Sequence, residues 1–172
     1  MARTDLFDPY AILRALDDQG VNYVVVGALG RVIHGSDEIT DGIDIVPSTR
    51  EENLLRLGLV LEELNARRRD GKPPSVERDL VTQPALELST DAGELKIVRE
   101  PAGTQGYDDL RRGATREPLG RGVRPSVASL GDSARMLSAL DRERDQEALR
   151  TVRRLIELDR ARTRGRGLYI ER

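Results

Sequence analysis

Residues 23–26 read Tyr-Val-Val-Val, followed at once by Gly27. Four successive large apolar side chains leave no polar face, so a strand built from them must be covered on both sides. That requirement constrains the fold more than any other feature of the chain. It points to a buried strand with helices packed beside it. The neighbouring sequence supplies such helices. Asp8-Pro9 is a helix start, with Asp as N-cap and Pro at the first helical position. Ile12, Leu13 and Leu16 give its apolar stripe, and Gly20 supplies the stop. After Gly27, Ala28 to His34 predicts a short helix. Ile43 to Val46 predicts a second strand, closed by Pro47.

Ser48 with Glu51 three residues on has the form of a capping box. It predicts a helix carrying Leu54, Leu55, Leu57, Leu59, Leu61 and Leu64. Arg67 to Pro74 reads as an exposed loop. Leu86–Thr90 and Glu94–Val98 read as strands joined by Asp91-Ala92-Gly93, a hairpin signal. Tyr107 to Arg112 suggests a helical turn. Val123 to Val127 suggests an edge strand, because Pro125 cannot donate to a central ladder. Helical patterns run from Leu130 to Leu140 and from Arg144 to Ala161. From Arg162 onward a basic, Gly-punctuated tail is expected to be mobile. The expected fold class is α/β (α+β), a small mixed β-sheet flanked by helices. Residues 1–128 are expected to form the core domain, and 129–172 a C-terminal helical segment with its tail.

At 172 residues the chain is long enough for a real core, and with 3% aromatics that core must be aliphatic. Cysteine is absent, which excludes disulfides and thiolate metal sites and makes a cytoplasmic location the expectation. The sequence contains no apolar run of membrane-spanning length, so no membrane partner is expected. A net charge of −2 predicts no strong field of one sign.

The chemistry concentrates between Val24 and Val46. A glycine after a buried strand lets the backbone approach a ligand closely, and a following helix N-terminus offers free N–H groups to a phosphate. Gly27 and Ala28 fit that pattern, as they fit an ordinary strand-to-helix turn. On the next strand, residues two apart share a face. Two carboxylates placed so can hold Mg²⁺ and, through it, a triphosphate. Asp44 is one such group, flanked by Ile43 and Ile45 that point the other way. Its partner position is Gly42, which has no side chain. Asp41 at the strand's beginning and Glu94 on the later hairpin are further candidate carboxylates. His34, the sole histidine, reads as a helix-end or packing residue. Thr40 reads as a local hydrogen-bonding residue.

Taken in order, Gly27-Ala28, His34-Gly35, Thr40-Asp41-Gly42-Ile43-Asp44 and the leucine-rich helix after Arg50 resemble the start of the polymerase-β-type nucleotidyltransferase superfamily. The closer resemblance is to the AbiE-type and MenT-type toxin nucleotidyltransferases of bacterial toxin–antitoxin pairs. "AGELKIVREPAGTQGYDDL" (92–110), "VASLGDSARM" (127–136) and "DRERD" (141–145) resemble that family's second sheet segment, its entry to the C-terminal helices and a late motif. The resemblance implies an enzyme that uses Mg²⁺ and an NTP. It would transfer a nucleotide to an RNA end, tRNA above all, or to a protein hydroxyl, with an antitoxin as protein partner. Residue by residue it implies that Gly27 and Ala28 cradle phosphates, that Arg31 or Lys96 steadies the triphosphate, and that Asp44 is a metal ligand. Asp145 is retained from the late motif.

The departures matter as much. Gly42 stands where the first metal carboxylate belongs, Lys96 where the third does, and Leu137 where a lysine is usual. One aspartate cannot hold two divalent ions at ordinary affinity. Asp41 swinging inward, or Glu94 beside Lys96, are the available substitutes. The Lys96 ammonium could instead pair with Asp44 in place of the missing cation. The alternative reading is therefore a catalytically degenerate relative that binds a nucleotide, an RNA or a protein partner without chemistry. Arg150, Arg153, Arg154 and Arg160 lie near one another on a predicted helix and suggest a face for RNA.

Overall fold

The computed structural model describes residues 7–167. Its strands are β1 (Tyr23–Val26), β2 (Gly42–Pro47), β3 (Ala85–Thr90), β4 (Gly93–Val98), β5 (Thr115–Arg116) and β6 (Ser126–Val127). Its helices are α1 (Pro9–Asp18), α2 (Gly27–Ile33), α3 (Glu51–Glu63), α4 (Val76–Thr82), α5 (Tyr107–Leu110), α6 (Leu130–Leu140) and α7 (Gln146–Gly167). The strands form one mixed sheet in the order β3-β4-β2-β1-β6-β5. β1 is antiparallel to β2 and parallel to β6, while β2 is parallel to β4.

β1 is central, as its composition demands, and all four of its residues are buried. Val25 faces one layer of helices together with Ile43, Ile45, Leu88, Leu95 and Ile97, each at most 1% exposed. α1, α3 and α4 cover that face through Ile12, Leu13, Leu16, Leu57, Val60, Leu61, Val76 and Leu80. On the opposite face Val24, Val26 and Val46 meet Leu110 of α5, Ala128 and Met136 of α6. Leu137 turns away from the sheet into a third cluster with Leu149 and Val152 of α7. Beyond β2 the second covering layer reaches β4 only at its last residue, Val98. The same face of β4 and β3 carries Glu94, Lys96, Glu87 and Ser89, and there it stays open.

Several local expectations hold in detail. Asp8 caps α1 by accepting from the Ala11 N–H at 3.1 Å. His34 reaches the Ala128 carbonyl at 2.8 Å, a packing role at the end of α2. Others are corrected. The Ser48 capping box does not form: α3 starts at Glu51, behind an Arg50 with no side-chain cap bond. Ser48 is buried instead, and its carbonyl accepts from the Asn53 amide at 2.8 Å. Asn53 also binds Asn22 through both its oxygen and its nitrogen, which ties α3 to the start of β1. β6 is not an edge strand, because β5 pairs outside it. The segment expected to be mobile from Arg162 continues α7 to Gly167, and residues 168–172 lie outside the described part. α4 went unforeseen between the loop and the hairpin. No described helix is long and apolar enough to cross a membrane.

Candidate functional site

The open part of the sheet floors a cleft of about 490 Å³. Ala28, Thr40, Asp41, Gly42, Asp44, Glu94 and Lys96 line it, joined by Arg67, Arg69, Glu87 and Ser89. Register explains the assembly. Asp44 pairs with Lys96 across β2 and β4, and Lys96 pairs with Glu87 across β4 and β3. Three charged residues therefore sit side by side on neighbouring strands and one face. One row over, Gly42, Glu94 and Ser89 align in the same way.

Asp44 stands where β2 passes the end of β1, opposite Val26. Gly27 follows with φ +71°, a conformation that costs most side chains dearly. Its missing Cβ also makes room for the carboxylate: a Cβ there would lie 2.5 Å from Asp44 Oδ2. The glycine turn is thus shaped around Asp44. Burial raises the proton affinity of this carboxyl above the ordinary aspartate range, against the opposing fields of Lys96 and Arg31. Among the described residues no hydrogen-bond donor reaches its oxygens. No buried side-chain polar atom among the described residues lacks a partner, so the Asp44 oxygens must reach solvent through the cleft. A carboxylate kept half-buried without a partner is costly for a purely structural role.

The other expected residues are distributed unevenly. Asp41 and Glu94 line the cleft and are exposed. Thr40 is locally engaged, donating to the Gly42 carbonyl at 2.9 Å. Lys96 is half-buried beside Asp44 and acts on it electrostatically. The direct ion pair between them does not form: the described salt bridges of at most 4 Å include Arg69 with Glu87 but none to Lys96. Arg31 does not line the cleft, and its guanidinium is forked onto Glu38 at 2.7 and 2.8 Å. That fork holds the Glu38 carboxyl below its usual range. Asp145 pairs with Arg142 at 2.5 Å and does not line the cleft. Sequence reasoning missed Arg67, Arg69, Glu87 and Ser89 as cleft residues. The signal was the hairpin register combined with Arg67, whose backbone exchanges two 2.9 Å hydrogen bonds with Ser89.

A Mg²⁺ pair does not fit these donors. Among the described residues no three His, Asp or Glu side chains gather closely enough to hold a metal ion. Gly42 is not a simple gap awaiting a carboxylate. A Cβ there would lie 2.9 Å from both the Cβ and the carbonyl oxygen of Glu94, closer than packed atoms tolerate. The neighbouring position on β4 carries an ammonium, which repels a divalent ion.

No family model matches the chain, and none of the curated proteins does. Solved structures do. A Thermotoga maritima protein provisionally described as a nucleotidyltransferase superposes with a TM-score of 0.53 at 21% identity, over 81% of this chain and 86% of its own. The antibiotic-resistance factor ANT(2'')-Ia, in solution, gives 0.52 at 16% identity over 94% and 92%. The same factor crystallised with adenylyl-2''-tobramycin gives 0.54 at 15% identity over 91% and 95%. At these identities the likeness speaks for architecture: the chain has the nucleotidyltransferase fold.

Proposed function

We propose that this protein binds a nucleotide in the β2–β4–β3 cleft and does not perform metal-dependent nucleotidyl transfer. The crowded Gly42 position carries the reading: the backbone of β4 occupies the space where a second metal carboxylate would begin. The lysine opposite Asp44 points the same way. Retention of the glycine turn, of Asp44 and of an open cleft argues that binding survived. A structural neighbour crystallised with adenylyl-2''-tobramycin supports a nucleotide as the class of ligand. Under this reading the order of motifs shared with toxin nucleotidyltransferases marks descent. An antitoxin-like protein or an RNA would be a partner of the binding form.

A second reading keeps the chain as an active toxin-like enzyme, transferring a nucleotide to tRNA or to a protein hydroxyl. One observation favours it: Asp44 is a partnerless, proton-hungry carboxylate at the cleft, as an acid–base group would be. Incubation with labelled NTPs, Mg²⁺ and total tRNA separates the two. The proposal expects no label in RNA or protein above a denatured control. Incorporation that is lost in Asp44→Asn would establish the second reading.

A further inference from the structure

The cleft mixes charges in an instructive way. Glu87 is already neutralised by Arg69. Lys96 has a carboxylate strand on either side, Asp44 on β2 and Glu87 on β3, yet forms an ion pair with neither. Lys96 is half-buried and lines the cleft. Arg67, on the same wall, has as its side-chain bond a long 3.5 Å contact to the Ala66 carbonyl. Two cations thus face the cleft with donors unspent. The facing acids are Asp41, Asp44 and Glu94. Asp41 and Glu94 are exposed, and Asp44 holds its proton more tightly than usual. An ammonium so placed opposes a divalent ion electrostatically. It can itself donate to phosphate oxygens, as a cation in a partly desolvated setting does well.

We infer that Lys96 is the resident cation of this cleft: it takes over the charge that Mg²⁺ supplies in a metal-dependent transferase and, with Arg67, meets the phosphates of a nucleotide directly. The inference rests on nucleotide binding as proposed above and adds its mode. Binding is then independent of divalent ions. Mg²⁺ weakens it, because chelation masks phosphate charge that Lys96 and Arg67 would otherwise meet.

Calorimetric titration of ATP into the whole chain, in excess EDTA and again in excess Mg²⁺, tests this. Wild type should bind more tightly in EDTA than in Mg²⁺. Lys96→Met should weaken binding in EDTA by about tenfold or more, as expected for loss of a charge-assisted contact. Lys96→Asp should bind ATP more tightly with Mg²⁺ than without, reversing the dependence. Because Lys96 is partly exposed, both variants should keep the wild-type circular dichroism spectrum, which is recorded alongside. Wild-type binding that requires Mg²⁺ would overturn the inference and leave the nucleotide cleft standing. Undiminished binding in EDTA by a folded Lys96→Met would overturn it too. Absence of ATP binding in both buffers would overturn the inference together with the nucleotide-binding proposal.

Discussion

The two faces of the sheet are built from the same strands and behave as different materials. On the face toward α1, α3 and α4, Ile43, Ile45, Leu95 and Ile97 are sealed to 1% exposure or less. On the other face their immediate neighbours Gly42, Asp44, Glu94 and Lys96 floor an open cleft. Along β2 and β4 the chain alternates between the two, residue by residue. The difference teaches where constraint resides. The sealed face is specified by volume and apolarity, so it tolerates exchange among aliphatics. The open face is specified by single charges and by two glycines whose missing Cβ atoms define its shape.

Substitutions break the comparison on either side, and the largest effect belongs to the sealed face. Ile45→Ala should cost about 2–5 kcal/mol of stability, read as a fall in the urea midpoint, since it opens a cavity under α1 and α3. The same truncation on the open face, Glu94→Ala, should leave the midpoint within about 0.5 kcal/mol.

Gly42→Asp comes next. If position 42 were merely vacant, an aspartate there would be harmless. Because its Cβ would press on Glu94, the variant should lose about 1–3 kcal/mol and gain no transferase activity. Gly27→Ala should lose about 1–2 kcal/mol, from its φ of +71° and from contact with Asp44. Part of that loss should return in the double variant with Asp44→Gly, because the clash with the carboxylate is removed while the backbone strain stays.

The smallest effect has the opposite sign. Folded Asp44 holds its proton more tightly than the unfolded chain does, because burial disfavours the charge. Its contribution is therefore favourable at acid pH, below the unfolded value, and is lost as pH rises through the higher folded value. Asp44→Asn removes that loss. Its melting temperature should exceed that of wild type at pH 7. The gain should shrink on acidification. A variant that melts lower than wild type at pH 7 would show Asp44 to be structural.

Much of this was legible in the sequence because it rests on local pattern. Tyr23–Val26 announced a doubly covered strand, Asp8-Pro9 a helix start, and Asp91-Ala92-Gly93 a hairpin. Alternation in β2 placed Asp44 on the face away from Ile43 and Ile45. What stayed hidden depends on pairing between distant segments. The parallel β2–β4 register decides that Asp44 meets Lys96 and that Gly42 has no room for a side chain. Neither follows from spacing along one strand. Ser48 misled because a nearby amide, Asn53, claimed its carbonyl and delayed the helix. Arg67 read as the start of an exposed loop, yet its backbone pairing with Ser89 carries it to the cleft.

Under the proposed function the open face does not hold a divalent ion. Thermal melting of wild type and Asp44→Asn, in EDTA and in millimolar Mg²⁺ or Mn²⁺, tests it most directly, since a ligand that binds the native state raises its melting temperature. The account predicts that metal leaves the difference between the two proteins unchanged. A metal-induced rise in wild type that vanishes in Asp44→Asn would contradict it.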